Sequence, residues 1–259
     1  MCFIMKRIPA LQTLVVILSL LSLVQKSWGE SVAELVSQGD THDVQFQPAE
    51  ALSFYLPAEK MEPENVPLLL RIARQYRHLM QDSEDLSEKL KLGGKAKDFA
   101  ERAVKLAPEN SEAHLSVAIT HAKMVPILGT KERLEGSRHI KSSVDKALAL
   151  DPREDKAWHI LGCWHQRLAE IGSIKRALAA VVYGGVPEAS NEESVKCLKK
   201  AIELNPDSLI HYIELGRTYA QMGQTAEARK FIEKGLAMPD VGKDDPEMKR
   251  MGRETLKNL

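Results

Sequence analysis

Bulky and small residues recur along the chain at offsets of three, four and seven: Leu69, Ile72, Ala73 and Tyr76; His114, Val117, Ala118 and His121; Trp158, Leu161, Gly162 and His165; Tyr212, Leu215, Gly216 and Tyr219. Those offsets place each set on one face of a helix. The third member of every set is small, which lets a neighbouring helix approach closely. A second helical pattern follows each set and carries small residues twelve and five positions before the next proline: Ala51 and Ala58, Ala96 and Ala103, Ile140 and Ala147, Ser194 and Ala201, with Ala228 and Gly235 in the last unit. Pro63, Pro108, Pro152 and Pro206 separate the patterns, because proline lacks an N–H and clashes with the preceding turn. The polar pairs after them, Glu64-Asn65, Glu109-Asn110, Arg153-Glu154 and Asp207-Ser208, suit capping of the next helix.

The same seventeen-residue phrase is therefore repeated as PAEKMEPENVPLLLRIA, RAVKLAPENSEAHLSVA, KALALDPREDKAWHILG and KAIELNPDSLIHYIELG. A helix pair cannot bury its apolar face alone, and stacking pairs makes a continuous core. The pattern predicts an all-α chain of about five helix pairs over 31–65, 66–110, 111–154, 155–208 and 209–240, with a terminal capping helix in 241–259. Met248, Met251 and Leu259 are expected to face the last pair.

Bulky, Leu-Gly, Tyr, Ala, aromatic, Ala and Pro over about 34 residues resembles the tetratricopeptide repeat, which implies a right-handed superhelix. The best match is Tyr212, Leu215, Gly216, Tyr219, Ala228 and Gly235. The four prolines are 45, 44 and 54 residues apart, so the middle units are longer than the repeat. The extra residues fall between the two helices of a unit, around QDSEDLSEKLKLGG, PILGTKERLEGS and SIKRALAAVVYGGVPEAS, and are expected to emerge along one edge. These extensions, with LGTKERLEGSRHIKSSVDKALALDP and YGGVPEASNEESVKCLKKAIELNP, resemble the regulator of microtubule dynamics protein family over residues 60–255. The resemblance implies microtubule association. For a membrane-anchored branch it implies lipid transfer, so a lipid-binding module is an alternative. A bacterial exported repeat protein with an unrelated partner is another.

Charge excludes one class. Thirty-six basic and 36 acidic residues give a net charge of zero, without the basic excess of a nucleic-acid binder. Lys6 and Arg7 precede an apolar run, and Ser27 and Gly29 are spaced like a cleavage site, so residues 1–29 read as a signal peptide that directs export. The alternative is an uncleaved anchor over residues 8–24 with the repeats in the cytosol. Cleavage after Gly29 would remove three cations and no acid, leaving a net charge of −3.

In such an array the first helix of each pair lines a concave groove. Its flanking face carries Arg74, Arg77 and His78; Ile119 and Lys123; Lys156, His159, Gln166 and Arg167; and Ile213, Arg217 and Gln221, with Leu70 adding apolar contact. Glu112, Asp40 and Asp43 are the few acids there. A cationic trough of this kind suits an acidic protein or peptide segment, since the planar guanidinium matches carboxylates. If the groove faces the cytosol, the resemblance makes tubulin tails a candidate.

His114, His121 and His165 occupy core-facing positions and read as packing rather than as metal ligands, because no carboxylate or cysteine cluster completes a site. Cys163 near His165 lacks an orienting group for nucleophilic chemistry, and with Cys197 it reads as a buried thiol. No phosphate loop, nucleophile elbow or metalloprotease motif occurs, so neither enzyme activity nor a cofactor is expected. ALAAVVY, residues 177–183, is expected to pack over the edge of the fourth unit.

Overall fold

The computed structural model describes residues 30–172, 181, 185 and 187–259. Among these are eleven α-helices and no strand: α1 (Val32–Asp43), α2 (Pro48–Met61), α3 (Val66–Asp82), α4 (Leu86–Leu106), α5 (Ser111–Met124), α6 (Thr130–Leu150), α7 (Asp155–Ala169), α8 (Asn191–Leu204), α9 (Leu209–Gln221), α10 (Thr225–Leu236) and α11 (Asp245–Lys257). They pack as the consecutive pairs α1/α2, α3/α4, α5/α6, α7/α8 and α9/α10, and α11 lies on α9 and α10. First helices of successive units also touch, α3 to α5, α5 to α7 and α7 to α9, so they form the inner wall of a superhelical array.

The proline phrase folds the same way each time. Each second helix ends on a bond to the carbonyl of a fully buried alanine: Glu62 N–H to Ala58, Ala107 to Ala103, Asp151 to Ala147 and Asn205 to Ala201. The proline and its successor make the turn. Asn65 and Asn110 then cap α3 and α5 by accepting from the N–H groups of Leu68 (3.1 Å) and Ala113 (3.0 Å). Glu154 caps α7 at Lys156, whereas the Ser208 side chain makes no capping bond.

Small residues set the spacing within a pair. A Cβ added to Gly216 would lie 2.5 Å from Ile232 Cγ1 and 2.9 Å from the Ala228 carbonyl, and one added to Gly162 would lie 2.6 Å from Leu198 Cγ. Ala73 and Ala118 fill the same place in units two and three, both fully buried. Not every position read as core is fully buried. His114 and Trp158 are half-exposed and fold back to donate to the carbonyls of their own repeat prolines, His114 Nε2 to Pro108 O at 2.8 Å and Trp158 Nε1 to Pro152 O at 2.9 Å.

The first two insertions are helix extensions rather than loops. α4 and α6 each run 21 residues, reached through the short link 83–85 and the 3-10 turn Val125–Ile127. Gly93 packs on Met80 and Met124, and Gly136 on Val125, so the added turns cover the ends of the first helices. The stretch 177–183, apart from an exposed Val181, lies outside the described residues, as does 1–29. Among the described residues no helix is long and apolar enough to cross a membrane.

α11 closes the stack. Its nearest approach is Gly252, where an added Cβ would lie 3.1 Å from both Ile213 and Ile232, while Met248 and Met251 stay half-exposed and Leu259 packs near Tyr219 and Phe231.

Candidate functional site

The residues expected to line the groove separate into three groups. Some belong to the core. Ile213 is fully buried beneath α10 and α11, Leu70 packs with Leu69, Ala103 and Ala113, and Ile119 is half-buried beside Leu115 and Ala147. The expected apolar contacts of the groove are thus used between repeats, because α11 and the next unit cover them. Lys156 is exposed near the start of α7.

A second group is neutralised within the chain. Arg74 pairs with Asp43 and Arg217 with Glu214 (2.6 Å), and Arg71 adds a pair with Asp40 at 2.7 Å. Glu214 is almost fully buried, and its other oxygen takes the Gln166 amide nitrogen at 2.6 Å, with the Gln166 oxygen facing the Thr218 hydroxyl at 3.1 Å. Gln221 Nε2 donates to the Gln166 carbonyl (3.1 Å). His159 is buried in a chain that ties α7 to α9: Cys163 Sγ lies 3.4 Å from His159 Nε2, His159 Nδ1 lies 3.1 Å from His211 Nδ1, and His211 Nε2 lies 2.9 Å from Asp155 Oδ2.

One proton arrangement satisfies every link of that chain. His211 Nε2–H donates to the carboxylate, His159 Nδ1–H donates to His211, and the thiol donates to His159. Burial pushes the Cys163 thiol up, and burial together with His211 pushes His159 well down, so both stay uncharged. The thiol is not an activated nucleophile, and its imidazole partner is His159 rather than His165. Cys163 and Cys197 are both free and buried. His121 stacks on His139 at 4.9 Å, and burial followed by His139 lowers it to about 4.

The third group comes from the first helices of three successive units, α3, α5 and α7. Arg77 on α3 is 7% exposed, and its Nη1 donates to Ser116 Oγ (3.0 Å) and Thr120 Oγ1 (3.1 Å) on α5. No described carboxylate lies within ion-pair distance of it. Burial, then the neighbouring Arg74, lowers Arg77 to about 10, so it remains charged at neutral pH. Lys123 on α5 is lowered by burial, which its Asp244 partner opposes and Arg77 and Arg167 reinforce. Arg167 on α7 is exposed and makes no ion pair with the described residues. His78 beside them falls to about 4 through burial and Arg77, and its buried Nδ1 has no partner.

One carboxylate bonds Lys123, and it comes from the far end of the chain. Asp244 accepts from Lys123 Nζ at 3.0 and 2.9 Å and from Gln81 Nε2 at 2.7 Å. Burial raises its carboxyl, but Lys123 and the bonds from Gln81 and Lys123 outweigh burial and leave it below the usual value.

A sequence profile of the Regulator of microtubule dynamics protein 1-3 family matches residues 30–259. The chain belongs to that family. It is 25% identical to regulator of microtubule dynamics protein 3 of Xenopus laevis over 202 residues, covering 78% of this chain and 44% of that protein. It is 27% identical to protein 1 of Mus musculus over 231 residues, covering 88% and 75%. The chain spans less than half the length of the protein 2 and protein 3 relatives. Among solved structures, a tetratricopeptide protein of Thermus thermophilus, TTC0263, superposes with a TM-score of 0.65 at 16% identity, covering 88% of this chain and all of that one, which confirms the repeat fold.

Among the relevant side chains, the residues that sequence reasoning missed are Ser116, Thr120, His211, Glu214 and Asp244. Glu214 carries a signal, its i,i+3 spacing to Arg217. Asp244 carries none, since its partner is 121 residues away.

Proposed function

We propose that this protein is a non-enzymatic scaffold that holds an acidic segment of a protein partner in its groove. Carboxylates of the partner meet Arg77, Lys123 and Arg167, on the first helices of units two, three and four. The observation that carries this reading is the local shortfall of negative charge: of Arg77, Lys123 and Arg167, only Lys123 has an ion-pair partner among the described residues, Asp244. A buried guanidinium held only by hydroxyls is costly in a folded chain, and a function requiring its charge explains its retention.

Membership of the regulator of microtubule dynamics family makes the acidic tails of tubulin the first candidate segment. That assignment requires the array to face the cytosol, with residues 8–24 as an uncleaved anchor; N-terminal sequencing of the purified protein tests this arrangement against export. For the groove itself, fluorescence anisotropy with a labelled glutamate-rich peptide is the test. Binding is expected to weaken as salt rises and to disappear with a lysine-rich peptide of equal length. Equal binding of both peptides would overturn the proposal.

A further inference from the structure

The turn between α10 and α11 folds without help from the Asp244 side chain. Asp245 is 5% exposed and closes the turn by accepting from the N–H groups of Val241 (2.8 Å) and Gly242 (2.7 Å). Lys249 fastens it from α11, bonding Asp240 at 2.5 Å and the Met238 carbonyl at 2.6 Å. Asp244 stands at the helix N-cap position, yet its side chain makes no capping bond. Both of its oxygens point into the groove instead, to Lys123 on α5, and one of them also takes Gln81 on α3. Next to it, Lys243 reaches Asp82 at the end of α3, 2.9 Å away. Residues 243 and 244 thus strap the last unit to the second and third across the mouth of the cationic centre.

We infer that Asp244 is a resident substitute for a partner's carboxylate, and that the 243–244 strap is displaced when an acidic protein segment binds. This inference rests on the proposed acid-binding groove. The chemistry matches, because a carboxylate on Lys123, beside the charged Arg77, is what an acidic segment would supply. The contact can be exchanged: the Asp244 side chain is 43% exposed, and ion pairs at such positions are weak and sensitive to salt. One carboxylate also leaves Arg77 and Arg167 without an anion, so a segment bearing two or more acids offers the cluster more than Asp244 does. While the strap is closed, apparent affinity is reduced by the fraction of molecules that are open.

The test is peptide titration of the full chain and three variants by anisotropy, using a glutamate-rich decapeptide. Asp244→Asn keeps the side-chain shape, and Asp245 still holds the turn. It should bind about two- to fivefold tighter, the fold-change expected on releasing one weak ion pair. Lys243→Gln, which frees the tie to Asp82, should shift affinity the same way by a smaller factor. Asp98→Asn removes one exposed negative charge from α4 and touches neither residue of the strap, so it should leave affinity unchanged, which separates strap release from a general change in charge. Equal affinity of wild type and Asp244→Asn, or weaker binding by the variant, would overturn the strap and leave the groove reading standing. Absence of binding by both would remove the groove reading and the strap with it.

Discussion

The ends of the groove and its middle use the same residue types to opposite effect. At the ends, Arg74 and Arg217 each meet a carboxylate of their own, Asp43 and Glu214, and these pairs fix one helix against another or stiffen a single turn. In the middle, Arg77, Lys123 and Arg167 come from three successive units, and only Lys123 meets a described carboxylate, Asp244. A count of cations along the inner face therefore measures nothing by itself. What distinguishes a binding surface from a structural one is whether the chain has already supplied the counter-charge.

The largest effect expected from that contrast is at an end. Glu214→Ala leaves the Arg217 guanidinium and the Gln166 amide without their shared acceptor at an almost fully buried position. We expect a loss of about 2–3 kcal/mol in chemical denaturation, with peptide affinity little changed in the folded protein. Next comes the middle. Lys123→Gln combined with Arg167→Glu should weaken an acidic peptide by at least about thirtyfold, roughly 2 kcal/mol, in anisotropy at low salt. Arg74→Gln combined with Arg217→Gln should stay within about twofold in the same titration, because those charges are already answered.

Arg77→Met sharpens the contrast further. Removing a buried cation that has no carboxylate partner should leave the unfolding free energy within about 1 kcal/mol of wild type or raise it, while peptide affinity falls. A marked loss of stability in thermal unfolding would show that Arg77 is structural, like the arginines at the ends. A separate effect is on pH dependence. His78 and His121 fall to about 4, each through burial first. The unfolded chain then binds more protons than the folded one between about pH 6.5 and about 4, so stability is full above that window and is lost as pH falls through it. His121→Gln should flatten the midpoint temperature measured across that range.

Most of the scaffold was legible in the sequence because it is local. Pro108 and Pro152 mark turns that depend only on their neighbours, Asn65 and Asn110 cap helices three residues away, and Gly216 reports a close approach one helix later. His114 misled for a local reason of another kind: its ring N–H finds the proline carbonyl six residues back, and this leaves it half-exposed, whereas Trp158 makes the same bond and still packs on the core. The insertions were placed correctly but expected as an edge feature, whereas the first two continue the helical period of α4 and α6. The candidate site was legible only in part. Helix register brought Arg77, Lys123 and Arg167 to one surface, but periodicity cannot show that Ile213 would lie under α11 or that Gln166 and His159 would find buried partners on α9. Asp244 depends on how far the stack curves, a cumulative property of every repeat between α3 and α11.

The most direct test is one salt-series titration of a glutamate-rich peptide against wild type and the variant pairing Arg77→Met with Arg167→Gln. A groove that binds through its centre predicts tight, salt-sensitive binding by wild type, and for the variant a large loss of both affinity and salt dependence. Indistinguishable curves for the two proteins would contradict it.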